Sequence, residues 1–219
     1  MISYIGVYGA SGFGKEVMPL VRQQYATLEK QQFVFIDDGQ AGNILSGYPV
    51  LSYTDFLANT NTEKAVVIAI ANSQVREKLT AQLAIDQIPQ LHIHAHNALI
   101  AEEAEIAEGS LFCAFTCVTS NAKIGKGFHA NIYSYVAHDC VIGDYVTFAP
   151  SVKCNGNVHI EDHAYIGTGA IIKQGTPERP IVIGRGAVVG MGAVVTKSVP
   201  AGVTVIGNPA KPLGRNING

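Results

Sequence analysis

From residue 100 onward every sixth residue is apolar, a spacing that no α-helix can keep on one face. The series runs Ile100, Ile106, Phe112, Val118, Ile124, Ala130, Val136, Ile142, Phe148, Cys154, Ile160, Ile166 and Ile172 in one unbroken phase. Four residues after each comes a mostly small side chain, from Ala104 and Ser110 to Ala170 and Thr176, and only Phe128 is large. At "PERPIV" the phase shifts by five residues, after which Ile183, Val189 and Val195 resume it. Six helical steps of ~100° fall ~120° short of two turns, so the helix is excluded. A short strand and a sharp corner, repeated three times per 18-residue coil, instead put every sixth side chain inside a triangular prism whose strands stack at ~4.8 Å. The small residue at +4 fits the corner, and the glycine at +1 (Gly125, Gly143, Gly167, Gly184, Gly190) is expected to relax the bend. The fold class here is a parallel β-helix. Its hand and its assembly do not follow from the period.

The first 90 residues have a different rhythm, that of βαβ units in a parallel sheet. Strands are expected over Ile2–Tyr8, Phe33–Ile36 and Ala65–Ile70. Helices are expected from Gly14 to Tyr25 and, capped by Ser73, to about Ile85. Ligands of such sheets collect beyond the carboxyl ends of the strands, so Gly9–Lys15, Asp37–Asp38 and Ala71–Asn72 should meet at one crevice. "GASGFGK" has the GxxxxGK spacing of a phosphate loop, but Glu16 stands where Ser or Thr must hold magnesium. Its glycines fall as GxxGxG, which is not the dinucleotide fingerprint either, yet a glycine loop opening a helix still offers N–H groups to a diphosphate. The alternative is a tight turn and nothing more. The domains are accordingly 1–90, Rossmann-like, and 91–219, β-helical.

A net charge of −2 provides neither the basic stripe that nucleic acid needs nor a polybasic membrane patch. The opening "MISYIGVYGASGFG" has no charged leader and long apolar run, so neither a signal peptide nor membrane insertion is expected. Cys113, Cys117, Cys140 and Cys154 show no CxxC pair and read as small buried residues of a reducing cytoplasm. His92, His94 and His96 alternate along one strand face, which admits a metal reading but favours a linker strand with solvated or interfacial rings.

His138 lies two residues past the interior Val136 and therefore points outward from a corner. A free imidazole titrates near ~6.5, which leaves it able to accept a proton from an attacking amine or hydroxyl, and Asp139 beside it can orient the ring. The bland alternative is a solvated surface histidine. Gly156 follows one full coil later on the same corner, roughly 5 Å away. Its amide is either a donor for an oxyanion or part of a plain corner.

The hexads, the loop after Thr176 and the terminal "VIGNPAKPL" resemble the hexapeptide-repeat acyltransferases. "YGASGFGKEV", "FIDD", "AIANSQVREKL" and "HDCVIGDYVTFAPSVKCNGNV" together resemble the bacterial sugar-nucleotide acetyltransferases of the bacillosamine pathway and their sialic acid O-acetyltransferase relatives. The resemblance spans nearly the whole chain. It implies a left-handed β-helix and a homotrimer with active sites between subunits; from the cysteines and histidines above, a cytoplasmic protein without a metal is expected. The implied reaction moves acetyl from acetyl-CoA to the 4-amino group of a UDP-linked amino-dideoxy sugar for surface glycan synthesis. O-acetylation of sialic acid or another sugar hydroxyl is the alternative, with an inactive scaffold or a zinc-dependent hydratase behind it. The matching histidine is the family's base, here His138, and Asp139 its acidic partner, where relatives often carry Glu. Acetyl-CoA is expected along a groove passing Asn155, Gly156, Gly167, Thr168, Gly190, Met191 and Gly192, with its adenine and 3′-phosphate near Lys197, Pro209 and Lys211. The UDP-sugar is expected on Gly9, Ser11, Gly12 and Phe13, with Asp37 or Asp38 accepting from uracil or ribose and Asn72 and Arg76 bordering the sugar or phosphates. Phe13 stands where relatives commonly have His, which removes one polar contact.

Overall fold

The apolar runs of the first third form a parallel sheet. The computed structural model describes residues 2–59 and 63–214. It contains β1 (Tyr4–Tyr8), α1 (Gly12–Gln24), β2 (Phe33–Ile36), β3 (Ile44–Leu45), β4 (Tyr48–Leu51), α2 (Tyr53–Ala58), β5 (Lys64–Ile68) and α3 (Ser73–Ile85). The sheet order is β3-β4-β2-β1-β5, with β1 parallel to both β2 and β5. Because β2 and β5 are buried along nearly their whole length, they read as unbroken apolar runs with no alternation.

The boundaries differ from the sequence reading for local reasons. β1 begins at Tyr4, since the N–H groups of Ser3 and Tyr4 both turn to the Glu63 carbonyl. α1 begins at Gly12, two residues early, because the chain has already turned at Gly9, whose φ is +114°. β5 stops at Ile68, and the carbonyls of Ile70 and Ala71 go to Arg76 instead of the sheet. Asn72, not Ser73, caps α3, its Oδ1 accepting from the Val75 N–H at 3.1 Å. The hairpin β3–β4 and helix α2 were not foreseen. The hairpin turns at Ser46–Gly47 and its first strand has two residues, too short to show alternation. Ser52 caps α2 through the Asp55 N–H, an S-x-x-D signature that the sequence did carry.

The chain divides into two compact units. The first reaches His96 and takes in Glu108–Ser110, and the second holds Asn97–Ala107 and the chain from Leu111 on. The strand β6 (Ile93–His94) belongs to the first. Gln24 brackets it by donating to the His92 carbonyl at 2.9 Å and accepting from the His94 N–H at 3.1 Å.

In the second unit, strands of two or three residues stack into three sheets, parallel except where Lys211–Pro212 closes one of them antiparallel, with partners one coil apart: Val118 on Val136, Val136 on Cys154, Cys154 on Ile172. The sheets are named here by a middle strand: the Thr147 sheet, the Lys153 sheet and the His159 sheet, which the chain visits in that order. Ile160 pairs with Ile183, so the five extra residues leave the coil as a loop pinned by the Thr176–Arg179 bridge, and the stacking resumes above it. The sixth-residue side chains from Phe112 to Val195 and the apolar +4 residues between them form one buried core, with Thr116 and Ser134 buried beside it and Thr176 exposed. Phe128, the exception in size, is fully buried against Phe112 and Phe148 at ring separations of 5.7 and 5.1 Å. The small Ala130 two positions on, equally interior, offsets its volume.

The corner angle sits elsewhere than expected. The residues with positive φ are at +3: Phe115, Asn121, Tyr133, Asp139, Tyr145, Ser151, Asn157 and His163 lie between 55° and 61°. The +1 glycines are not among them. A Cβ on Gly143 would sit 2.7 Å from the Asp162 nitrogen, and one on Gly167 would sit 2.6 Å from the Met191 nitrogen. These glycines are therefore present for clearance beneath the next coil, not for bending. Gly143→Ala is expected to destabilise the protein by about 1–3 kcal/mol, seen as a fall of several degrees in Tm, because behind the Asp162 carboxylate the new methyl meets the backbone of Glu161 and Asp162, which cannot swing away. Gly12→Ala, with open space around the new methyl and ordinary helical φ, should leave Tm unchanged or raised.

Candidate active site

The edge between the Lys153 sheet and the His159 sheet carries the polar group that the hexads cannot explain. Its backbone is clamped from both neighbouring coils: Asp139 N–H donates to the Ser120 carbonyl at 3.1 Å, and Asn157 N–H to the His138 carbonyl at 3.1 Å. Asp139 has a φ of +58°, and from that conformation its short carboxylate reaches the ring, Oδ2 lying 2.7 Å from His138 Nδ1. Its other oxygen accepts from Asn121 Nδ2 at 3.2 Å. The His138 hydrogen bond, and after it that of Asn121, holds the Asp139 carboxyl below the usual carboxylate range. An ionised acceptor on Nδ1 places the proton there and leaves the Nε2 lone pair open. Both side chains are about half exposed, at 47% each.

Gly156 lies directly under the ring. A Cβ built on it would stand 2.5 Å from both Cε1 and Nε2 of His138. Its carbonyl accepts from the Gly175 N–H at 3.0 Å, and among the described residues its own N–H has no protein acceptor. A basic nitrogen and a free backbone donor thus sit side by side, the pair that acyl transfer to a nucleophile requires.

The other groove residues divide between two edges. Lys197 follows the strand Val194–Val195 and shares the His138 edge. Gly167, Thr168, Gly190, Met191 and Gly192 lie on the opposite edge of the same sheet, where the Thr147 sheet turns into the Lys153 sheet. A single straight groove on one protomer past all of these glycines is therefore not what the coil builds. Gly167 and Gly190 are accounted for by stacking, against Met191 N and Ile206 Cγ2 respectively, while Met191 is 81% exposed and Thr168, Gly192, Lys197, Pro209 and Lys211 are exposed. The amide of Asn155 is committed internally: Oδ1 accepts from the Tyr135 hydroxyl at 2.9 Å, and Nδ2 donates to the Ile172 carbonyl at 2.7 Å. It fixes the strand end beside Gly156.

In the first unit the three loops do meet. Gly9 turns against the Ala69 carbonyl, and Gly14 packs so closely on the Gly9 carbonyl that no Cβ fits. Asp37 accepts from the Ala10 N–H at 3.2 Å, the Gly39 N–H at 3.1 Å and Gln40 Nε2 at 3.0 Å. Asp38 accepts from the Tyr53 N–H at 2.8 Å and the Tyr8 hydroxyl at 3.5 Å. Burial, reinforced by Asp38, raises Tyr8 to about 12. Ser11 and Gly12 are exposed at the start of α1, and Phe13 is half-buried. Arg76 corrects the expectation of a ligand contact: it is 1% exposed, and its Nη1 donates to the Ile70 and Ala71 carbonyls at 3.1 and 2.9 Å. It braces the loop that Asn72 ends, and Asn72 itself caps α3.

The rings of His92 and His94 are 5.7 Å apart, and His96 Nδ1 lies 3.0 Å from Gln23 Oε1. No group of three metal-ligating side chains occurs among the described residues, and none of their helices is long and apolar enough to cross a membrane. Two contributors escaped the sequence reading. Asn121, one coil before Asp139, is reached by stepping back 18 residues; Cys140, whose thiol faces Asn155, carries no sequence signal beyond its small apolar character.

The chain is similar to known proteins along nearly its whole length. Residues 4–83 match the PglD N-terminal domain, and residues 121–156 match the bacterial transferase hexapeptide repeat. A GDP-perosamine N-acetyltransferase of Escherichia coli O157:H7 is 48% identical over 217 residues, 96% of each chain. WeeI from Acinetobacter baumannii AYE is 72% identical, with a TM-score of 0.95 over 96% of this chain and 100% of that one. The acetyltransferase domain of PglB from Neisseria gonorrhoeae FA1090, solved in complex with acetyl coenzyme A, is 30% identical with a TM-score of 0.87 over 97% and 100%. The chain belongs to the hexapeptide-repeat sugar-nucleotide acetyltransferases, and its β-helix is left-handed.

Proposed function

We propose that this protein transfers acetyl from acetyl-CoA to the 4-amino group of a UDP-linked amino-dideoxy sugar, with His138 as general base. The observation that carries the reading is the His138 ring, tied to Asp139 at Nδ1 and lying with Nε2 over the Cα of Gly156. The sugar amine, unprotonated, attacks the thioester carbonyl carbon, and a C–N bond forms. The Gly156 N–H takes the developing oxyanion, an interaction worth about 3 kcal/mol. Nε2 accepts the proton from the nitrogen while Asp139 balances the imidazolium charge. The C–S bond then breaks, and the proton passes from His138 to the departing CoA thiolate. No acyl-enzyme forms.

In this reading residues 1–90 hold the nucleotide sugar, on Gly9, Ser11, Gly12 and Phe13 beside Asp37 and Asp38, and residues 91–219 hold acetyl-CoA. The last five, 215–219, lie outside the described residues. In the same reading the protein works as a homotrimer in the cytoplasm. Trimer formation gives the two-edge distribution of the groove residues a use. One protomer would contribute the His138, Gly156 and Lys197 edge, and its neighbour the Gly167, Thr168, Gly190, Met191 and Gly192 edge, with Pro209 and Lys211 toward the adenine end. The relatives named as N-acetyltransferases favour an amine over a sialic acid hydroxyl.

A GDP-linked acceptor is the second reading, favoured by the relative named for GDP-perosamine at 48% identity. The two separate in one assay of CoA release, with matched UDP- and GDP-4-amino sugars, their non-aminated parents and sialic acid. A kcat/KM at least about a hundredfold higher for the UDP-amino sugar is expected. Preference for the GDP-amino sugar would transfer the assignment to guanosine, and acetylation of the hydroxyl sugars alone would end the N-acetyltransferase reading.

A further inference from the structure

We propose that Cys140 is a positioning residue, its buried thiol holding the Asn155–Gly156 peptide so that the Gly156 N–H turns outward to the reacting carbonyl. The inference rests on the roles given above to His138 and Gly156. Cys140 lies two residues beyond His138 and is 0% exposed inside the coil. Its Sγ donates to the Asn155 carbonyl at 3.1 Å. The peptide between Asn155 and Gly156 is trans, so its C=O and N–H point in opposite directions. A carbonyl drawn inward therefore sends the N–H outward, on the residue whose Cα the His138 ring covers.

Two thiols reach the Asn155 carbonyl, Cys140 at 3.1 Å and Cys154 at 3.9 Å, and the nearer one sets the plane. Tyr135 and the Ile172 carbonyl hold the Asn155 side chain, and the Gly175 N–H holds the Gly156 carbonyl. Between these two anchors, rotation about the Gly156 backbone is cheap, since glycine has no Cβ to resist it. The Cys154 thiol, 4.0 Å away, and the Val158 N–H pull the Cys140 pKa below that of a free thiol. An anion 3.1 Å from a carbonyl oxygen would be repelled, so the proton stays on Cys140, between sulfur and oxygen. Cys140 touches neither substrate, and its effect passes through the peptide alone.

The test compares Cys140→Val, which fills the site without a donor, with Cys140→Ser, which keeps one. Cys140→Val is expected to lower kcat at least about tenfold with the acetyl-CoA KM within about threefold, while Cys140→Ser stays within about threefold of the parent. In the unliganded protein the Gly156 amide resonance should move in Cys140→Val and stay in Cys140→Ser. Full turnover of Cys140→Val, or equal slowing of both variants with the Gly156 amide unmoved, overturns the proposal. The amide shift reads the peptide without any turnover. An active His138→Ala would thus remove the catalytic reading and leave the geometric claim to be judged by itself.

Discussion

His138→Ala is expected to lower kcat at least a hundredfold while acetyl-CoA affinity changes by less than about threefold. Loss of a general base typically costs ~10²–10⁴ in rate. The ring is half exposed and has no part in the core, so the coil should fold unchanged and Tm should hold. The Gly156 amide is still in place to meet the thioester oxygen, which is why binding survives and turnover does not. Asp139 loses its partner but keeps Asn121 and solvent, so no buried charge is stranded. Steady-state rates with the preferred amino sugar, beside a direct measurement of acetyl-CoA binding, decide the matter. Wild-type turnover in this variant would take the histidine out of the mechanism.

The sequence made the β-helix legible because its constraint repeats: sixteen hexads each demand an interior side chain, and a constraint restated that often leaves no competing period. The outward direction of His138 and the stacking of Gly156 one coil on followed from the same count, and the structure places them as the count requires. What stayed hidden was of another kind. The clearance role of Gly143 and Gly167 depends on backbone in the next coil, which a residue-by-residue reading does not contain. The division of the groove residues between two edges follows from counting hexads modulo three, information that was present but asks which sheet a position leaves, not only which coil. Arg76 looks like a phosphate ligand by type and place, yet carbonyls freed by the early end of β5 capture it first. Side-chain hydrogen bonds to backbone settled that case, and they follow from loop geometry that no periodicity encodes.

Gly156→Ala should be nearly as damaging as loss of the histidine itself, although alanine keeps the backbone N–H. Gly156 is not among the residues with positive φ, so its backbone accepts a side chain without strain. The obstacle is the imidazole. The new methyl would stand 2.5 Å from Nε2 and Cε1, and the ring cannot withdraw without breaking its 2.7 Å bond to Asp139. Displacing the ring costs the base its position and denies the thioester its approach, so kcat is expected to fall about a hundredfold or more. Because the methyl acts through the ring, the loss should vanish once the ring is gone: Gly156→Ala made in a His138→Ala background should change kcat by less than about threefold. Losses that multiply in the double variant would show that Gly156 contributes independently of His138. Full turnover of Gly156→Ala alone would show that the ring leaves its place over residue 156 during catalysis.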